Sequence, residues 1–342
     1  NGINGYSVPP KPKYITHKID YLCENIDVAR EMGKNAAESV NNITWRNVVT
    51  HMIGNNNEAR ESLISSPRNV KKNIVVVATF PIYPPRGGGQ VRMFNIYRNL
   101  AKYYDIEIIC LCNSITHTTS ELIAPGLVET KTPVTKDFVI HEHNLSKRLN
   151  NLPVTDIAAI EGYKLIEEFN SALTESEKTA DIIIVCHPYL MDAILDLKTS
   201  ASIWYEAQDV EFDLKKQLLP DNRFSKDILK KIQTIEKRSW CNSEVVFTCT
   251  NEDRDRLDHL YGTSSAQKIT VPNGVEYNTS ISLNRNDKFL LKQKLGIEDK
   301  DCVLFMGSWH GPNLEAAEQV FKLAPLFPDC YFLICLLYTS PS

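Results

Sequence analysis

The sequence lacks paired cysteines, an excess of basic residues and a long apolar run, and each absence argues against a class of protein. Nine cysteines are scattered without a CxxC pair, which argues against a zinc site or a disulfide framework. A formal net charge of −4 argues against a nucleic-acid binder. The chain has no apolar run near the ~18 residues that cross a bilayer, and we expect no signal peptide. We therefore expect a cytoplasmic protein without a metal site.

Residues 72–104 carry the strongest local pattern in the chain. The β-branched run Asn73–Thr79 predicts a buried parallel strand. Gly87, Gly88 and Gly89 follow in a proline-containing loop, after which apolar residues recur at helical spacing. The predicted core face of this helix consists of Val91, Phe94, Tyr97, Leu100 and Ala101. Glycine permits close approach of a ligand, and a helix N-terminus attracts phosphate. A tight turn without a ligand is the simpler alternative.

Strand and helix patterns alternate from Asn73 onward, which predicts a doubly wound α/β domain with a parallel sheet covered on both faces. Ligands of such sheets bind beyond the carboxyl ends of the strands. We expect residues 113–153 to be irregular and Thr155–Leu173 to be one helix. Three amphipathic helices precede this region, the third capped by Thr44.

Several segments, taken together and in order, resemble family-4 glycosyltransferases of the GT-B fold. They read KNIVVVATFPIYPPRGGGQVR, ADIIIVCHPY, IWYEAQDVE, VPNGVE and VLFMGSWHGPNLEAA. The resemblance implies two Rossmann-like domains that face each other across a cleft. It also implies retaining transfer of a hexose from a nucleoside-diphosphate sugar to a glycan or a lipid-linked acceptor. Such enzymes use no cofactor and usually no obligatory metal. A lipid-linked acceptor would bring peripheral contact with a membrane.

The order of the segments further resembles a tandem protein, of which this chain would be a fragment. GYSVPP and TWRNVV near the N-terminus are similar to the end of one transferase module. The resemblance implies six parts in chain order. They are the helical end of a preceding module (1–53), a linker (54–71), an acceptor-side Rossmann-like domain (72–275), a second linker with a short helix (276–299), the start of a donor domain (300–335) and a non-native tail (336–342). We expect the chain alone to bind a nucleotide sugar weakly and to turn over none.

The resemblance places candidate site residues in both Rossmann-like parts. It implies that Gly87, Gly88 and Gly89 lie near the donor phosphates and the acceptor, and that Arg92 adds positive charge there. Simple surface solvation is the alternative for Arg92. Gly307 and Ser308 match the first loop of the donor domain, with His310 beside them.

Two residues carry the expected catalytic role. Many family members have a histidine where Gln208 stands, and glutamine donates a hydrogen bond but cannot act as a charged acid. His187 ends the neighbouring strand and is therefore the candidate histidine, although a purely structural histidine is an alternative. Glu211 either holds its loop through backbone N–H groups or is exposed.

Two other function classes are alternatives to glycosyl transfer. Gln208 is compatible with a non-catalytic module that binds glycan or nucleotide. A dinucleotide-dependent oxidoreductase is disfavoured, because three consecutive glycines are not the spaced G-x-G-x-x-G and no acidic residue ends the strand Ile106–Cys112.

Overall fold

A computed structural model describes residues 1–9, 11–41, 43–53, 71–275, 284–308 and 311–337. Most of the first predicted linker (54–70), part of the second (276–283) and most of the predicted tail (338–342) lie outside the described residues. The chain divides into two compact units. Residues 45–274 form one, here called the Rossmann unit, and residues 1–44 together with those from 275 onward form the other, here called the terminal unit.

The α-helices of the described residues are numbered in chain order. They are α1 (Pro12–Glu24), α2 (Ile26–Val40), α3 (Trp45–Ile53), α4 (Gly88–Leu100), α5 (Lys136–Arg148), α6 (Thr155–Gly162), α7 (Glu167–Glu177), α8 (Met191–Asp196), α9 (Glu211–Leu218), α10 (Arg223–Asn242), α11 (Asn251–Tyr261), α12 (Arg285–Lys294) and α13 (Gly311–Leu323). Short 3₁₀ turns occur at Tyr163–Leu165, Pro188–Leu190 and Ala324–Leu326.

The strands are numbered in the same way. They are β1 (Asn73–Ala78), β2 (Asp105–Cys112), β3 (Thr119–Ala124), β4 (Leu127–Pro133), β5 (Ile182–Cys186), β6 (Ser202–Ala207), β7 (Val245–Thr248), β8 (Gln267–Thr270), β9 (Asp301–Ser308) and β10 (Cys330–Leu337).

The Rossmann unit is built on one eight-stranded sheet in the order β3-β4-β2-β1-β5-β6-β7-β8. Every neighbouring pair is parallel except β3 and β4, which are antiparallel. The predicted doubly wound α/β fold is confirmed. The added edge strand β3 is a departure from the expected all-parallel sheet, and the short connection to β4 explains it, because a tight turn joins only antiparallel neighbours.

Helices cover both faces of this sheet. Alternate strand residues, such as Val75, Val77 and Ile183, belong to one apolar cluster with side chains of α5 to α8, α10 and α11. The intervening residues face the other way, and there Cys186 Sγ lies 3.3 Å from Met93 Sδ of α4. Burial on both faces is why the strands read as continuous apolar runs instead of alternating patterns.

Two sequence interpretations in this unit were wrong. Residues 113–153 are not irregular, since they contain β3, β4 and α5; the polar and charged residues on these elements hide their periodicity. The segment Thr155–Leu173 is not one helix, because α6 ends at Gly162 and a 3₁₀ turn separates it from α7.

The predicted core face of α4 is also rotated from the observed one. Val91 is 38% exposed, whereas Arg92, Met93 and Ile96 are buried with Tyr97. An arginine at the buried position hid the true face from a hydrophobicity pattern, because its burial depends on an ionic partner elsewhere in the chain.

Helix α3 packs within the Rossmann unit, where Trp45, Val48 and Val49 are buried. A methyl group built on Gly274 would stand 2.7 Å from the Trp45 backbone nitrogen and from its indole ring. Only glycine leaves room for the tryptophan at this place.

The terminal unit contains α1, α2, α12, α13 and a two-stranded parallel sheet of β9 and β10. Thr44 forms a parallel bridge with Val275, and the Val275 N–H donates to the Ile43 carbonyl at 2.8 Å. No helix in the described ranges combines the length and apolar character needed to cross a lipid bilayer.

Candidate functional site

The order of strands in the Rossmann unit creates a crevice at the carboxyl ends of β1 and β5. From β1 the chain proceeds to β2 on one side, and after β4 it returns to β5 on the other side of β1. The loops that follow β1 and β5 therefore diverge at a topological switch point, where open α/β sheets bind ligands. The first loop leads to the three glycines and the second begins with His187.

Gln90 fixes the glycine loop at the start of α4. Its Oε1 accepts hydrogen bonds from the backbone N–H groups of Arg86 (2.9 Å) and Gly87 (2.8 Å), and its Nε2 donates to the Pro81 carbonyl at 2.8 Å. A methyl group built on Gly88 has no described atom within 4 Å, so the backbone there is open to a ligand. The positive end of the helix dipole favours an anion at this position.

A buried carboxylate on β4 holds the beginning of the same loop. Glu129 has no exposed surface, and its Oε1 accepts from the N–H groups of Ile82 (2.5 Å) and Tyr83 (3.2 Å). Lys131 Nζ lies 3.2 Å from the other carboxylate oxygen. The loop is thus held at Ile82 and Tyr83 by Glu129, and at Arg86 and Gly87 by Gln90.

His187 adopts a backbone conformation that is nearly exclusive to glycine. Its φ is 60° and its ψ is 156°. Strain of about 1–3 kcal/mol accompanies such a conformation, and it persists where surrounding contacts fix it. Strained residues concentrate at functional sites. The backbone conformation therefore marks His187 as a candidate functional residue, independently of its side chain.

The His187 side chain is paired with a buried carboxylate. Its Nδ1 lies 2.6 Å from Glu211 Oε1, and the Tyr189 hydroxyl donates to Glu211 Oε2 at 2.5 Å. Burial disfavours the imidazolium, but the hydrogen bond and charge of Glu211 outweigh it and raise the pKa of His187. Burial likewise opposes the charge on Glu211, yet His187 and Lys215 lower the pKa of that carboxyl.

The pairing leaves one imidazole nitrogen for a ligand. Within the part of the chain that the structure describes, Nε2 of His187 has no hydrogen-bond partner, and 13% of the side chain remains exposed. The ring of Phe80, at the beginning of the loop after β1, lies 5.9 Å from the imidazole centroid. His187 can therefore present a fixed nitrogen, protonated when the imidazole is charged, beside the glycine loop.

Gln208 lies against the glycine loop and is buried. A methyl group on Gly89 would stand 3.1 Å from Gln208 Oε1, and Gln208 Nε2 lies 3.2 Å from Cys186 Sγ. The structure thus brings together Gly89, Gln208 and His187 from three separate strand ends. Gln208 packs the floor of the crevice, with 8% of its surface exposed.

Arg92 is not a solvated surface residue. It is 3% exposed, its Nε donates to Glu206 Oε1 at 3.1 Å, and its Nη1 donates to the Val271 carbonyl (2.8 Å) and to Asn273 Oδ1 (3.1 Å). Among the described residues, its Nη2 has no hydrogen-bond partner. Glu206 therefore pairs with the positive charge of Arg92, which the resemblance expected to lie near the donor phosphates.

Glu211 is buried and not exposed, and it does not hold its loop through backbone N–H groups. Glu236 holds the loop instead, because it accepts from Glu211 N–H at 2.6 Å and from Phe212 N–H at 3.1 Å. Sequence reasoning missed Glu129, Glu206 and Glu236. For Glu206 and Glu236 the available signal was a carboxylate inside an otherwise apolar strand or on the apolar face of a helix, where an unpaired charge would be costly. Glu129 lies in the polar strand β4, which gives no such signal.

The remaining predicted residues belong to the terminal unit. Gly307 and Ser308 end β9, and a methyl group on Gly307 would stand 2.9 Å from the Asn313 side chain of α13. His310 lies outside the described residues. Across the described ranges, no group of three or more histidine, cysteine or acidic side chains could hold a metal ion.

Solved structures with the same fold include several glycosyltransferases. The chain aligns with a structure described as OtsA in its apo state at 12% identity, over 80% of this chain and 66% of that one, with a TM-score of 0.50. It aligns with sucrose-phosphate synthase from Thermosynechococcus elongatus at 10% identity, over 78% and 71% of the two chains, with a TM-score of 0.52. An E. coli structure described as trehalose-6-phosphate bound with UDP-2-fluoro glucose aligns at 11% identity over 78% and 65%, with a TM-score of 0.46.

The alignments with OtsA and with sucrose-phosphate synthase establish a GT-B-type α/β fold. The chain spans about 65% of the length of the E. coli structure and 66% of OtsA. No protein-family model and no curated protein sequence matches the chain. Fold similarity at this level of identity does not assign an activity.

Proposed function

We propose that this protein is a glycosyltransferase that transfers a hexose from a nucleoside-diphosphate sugar, with retention, to a glycan or a lipid-linked acceptor. The observation that carries the proposal is the strained, carboxylate-paired His187 beside the glycine loop at the switch point of the sheet. Membership of family 4, a cytoplasmic location and peripheral membrane contact belong to the same proposal. So does the division into an acceptor-side domain at 72–275 and a donor domain that begins near residue 300.

Each site residue has a role in this proposal. The N–H groups at Gly88 and Gly89 face the leaving diphosphate, whose charge grows in the transition state. The imidazolium of His187 donates a hydrogen bond from Nε2 to the sugar or to the diphosphate. Gln208 shapes the crevice floor, while Arg92 holds α4 on the sheet. Gly307 and Ser308 remain the candidate donor-binding residues of the terminal unit.

The proposed glycosyl transfer uses no cofactor. The carboxylates in the Rossmann unit are already engaged by backbone N–H groups, tyrosines and cations, as Glu129, Glu206 and Glu211 illustrate. Stabilisation of the leaving group therefore falls to backbone dipoles and to His187, which act without reorganisation when they are fixed in advance.

A direct binding test decides the donor class. Isothermal titration of UDP-, GDP- and ADP-sugars, with NAD as the control nucleotide, should show binding of at least one nucleotide sugar and none of NAD. His187→Gln should weaken that binding. Preferential binding of NAD, or equal binding by the variant and the parent chain, would contradict the proposal.

A second candidate function is a non-catalytic module that binds glycan or nucleotide. The observation in its favour is Gln208, an uncharged amide whose Nε2 is occupied by Cys186 at 3.2 Å. Incubation with a radiolabelled nucleotide sugar and an oligosaccharide acceptor, together with the measured affinity, distinguishes the two. Formation of a labelled glycan or free sugar supports the enzyme and overturns the expectation that this chain alone turns over none. Weak binding without product is what the enzyme proposal expects of this chain, whereas tight binding without product supports the module.

A further inference from the structure

We propose that Glu236 is a positioning residue for His187: it caps helix α9 from the following helix, α10, and thereby fixes the carboxylate of Glu211 against the imidazole. The inference deepens the proposed function, since it concerns the same histidine. It rests on a chain of contacts that joins α11, α10, α9 and the end of β5.

The N-terminus of α9 has no cap of its own. The residue before the helix is Val210, whose side chain makes no capping hydrogen bond. A helix begins with N–H groups that need acceptors, and valine cannot supply one. The acceptor comes instead from α10, because Glu236 receives the N–H groups of Glu211 (2.6 Å) and Phe212 (3.1 Å) on its two oxygens.

Glu236 is itself held firmly. It has no exposed surface, and the Tyr261 hydroxyl of α11 donates to its Oε2 at 2.5 Å. A buried carboxylate with three donors is confined to one orientation. The first turn of α9 is therefore fixed from outside the helix.

Glu211 links Glu236 to His187. Its backbone N–H donates to Glu236, and its side chain binds His187. Glu211 accepts from His187 Nδ1 at 2.6 Å and from the Tyr189 hydroxyl at 2.5 Å. A hydrogen bond at Nδ1 decides which nitrogen carries the proton and where Nε2 points. Glu236 thus acts on His187 through one residue, without contact with the imidazole.

Glu211 interacts with both Glu236 and His187. Glu211, Tyr261, Tyr205 and Tyr189 interact with Glu236. Beyond Glu211, the groups that raise the pKa of His187 are Asp209 and Glu206. A change at Glu236 should therefore reach His187 by moving Glu211 and not by direct charge interaction.

Glutamine at position 236 separates these effects. Its Oε1 still accepts one backbone N–H, but its Nε2 is a donor and cannot accept from the second. The first turn of α9 loosens, the His187–Glu211 bond lengthens, and the pKa of His187 returns toward its ordinary value. Glu244→Gln is the matched control, since Glu244 accepts an exposed hydrogen bond from Ser202 at the amino end of β6.

The experiment is a ¹⁵N-histidine NMR titration of the ligand-free 342-residue chain, with the His187 signal assigned by its loss in His187→Gln. We expect Glu236→Gln to lower the pKa of His187 by roughly half a unit or more and to change its tautomer ratio, and Glu244→Gln to change neither. A folded Glu236→Gln protein with an unchanged His187 titration overturns the inference. If that variant does not fold, Tyr261→Phe provides the same test, and an unshifted His187 there overturns it equally.

This titration is independent of glycosyl transfer. A protein that binds no nucleotide sugar but shows the His187 shift would refute the proposed function and leave the positioning role intact. A protein that transfers sugar without the shift would refute the positioning role alone.

Discussion

Arg92 and Glu206 form a buried ion pair, with Arg92 Nε 3.1 Å from Glu206 Oε1 and both side chains no more than 3% exposed. Tyr97, one turn after Arg92 on α4, donates its hydroxyl to the other carboxylate oxygen at 2.5 Å. The pair joins α4 to β6, and Arg92 Nη1 extends the connection to the segment Val271–Asn273. The helix that begins at the glycines is therefore attached to the far half of the sheet.

Loss of one partner of this pair should be costly. Arg92→Met leaves the Glu206 carboxylate buried without its cation, and we expect a loss of about 3–5 kcal/mol in the free energy of unfolding. Arg92→Met combined with Glu206→Gln removes both charges and should recover part of that loss. Urea denaturation of the single and double variants measures both values, and strictly additive losses would contradict the coupling.

The backbone strain at His187 predicts an unusual order of stabilities. His187→Gly and His187→Ala both lose the bond to Glu211, but only alanine retains the unfavourable φ of 60°. After the entropy cost of glycine, we expect the glycine variant to be more stable by about 1–2 kcal/mol.

The control for this comparison is Glu244, which is not among the residues with positive φ. There the alanine variant should be at least as stable as the glycine variant. If chemical denaturation shows the alanine variant to be at least as stable as the glycine variant at position 187 as well, His187 carries no strain.

The open backbone at Gly88 predicts a loss of binding without a loss of fold. A side chain at this position meets no described atom within 4 Å, so Gly88→Val should change the free energy of unfolding by no more than about 1 kcal/mol. It should lower nucleotide-sugar affinity about tenfold or more, because the side chain occupies the place of the ligand.

Gly33→Val in α2 is the matched control for Gly88, since its side chain would also meet open space. Titration calorimetry should show unchanged donor affinity for that variant. A parallel fall in melting temperature and affinity for Gly88→Val would identify a purely structural glycine.

Glu236 should make stability depend on pH in an unusual direction. Burial raises the pKa of Glu236 from 4.5 to about 7, against the hydrogen bonds that favour its charged form. Between these values the folded chain binds the proton more tightly than the unfolded chain, so stability falls as pH rises. The contribution is about 3 kcal/mol across this window. The difference in unfolding free energy between Glu236→Gln and the parent chain should change with pH in that range, and a constant difference would refute it.

The His187–Glu211 pair should contribute stability in a bounded pH window. The raised pKa of His187 means that its contribution is complete below about 6.5 and is lost as pH rises through the folded pKa. The lowered pKa of Glu211 means that its contribution is present above 4.5 and is lost as pH falls through the folded pKa. Each variant removes the pair, so His187→Gln and Glu211→Gln should each flatten both the acid and the alkaline limb of the stability profile, measured by chemical denaturation across pH.

Local pattern was sufficient for much of the scaffold. The β-branched run at Asn73–Thr79 became β1, and the alternation of strand and helix patterns after it became the eight-stranded sheet with its covering helices. It failed at 113–153, where polar residues such as Glu129 and Thr130 are buried by partners that a local window does not contain.

The sequence by itself determined the alternation of strands and helices and the place of the glycine loop, because both depend on residues that are close along the chain. Only the tertiary structure decided how the site is held. Arg92 finds Glu206 across 114 residues, Ile82 finds Glu129 across 47, and Glu211 finds Glu236 across 25. A buried charge is tolerable only with its partner in place, and the order of strands in the sheet determines which partner arrives.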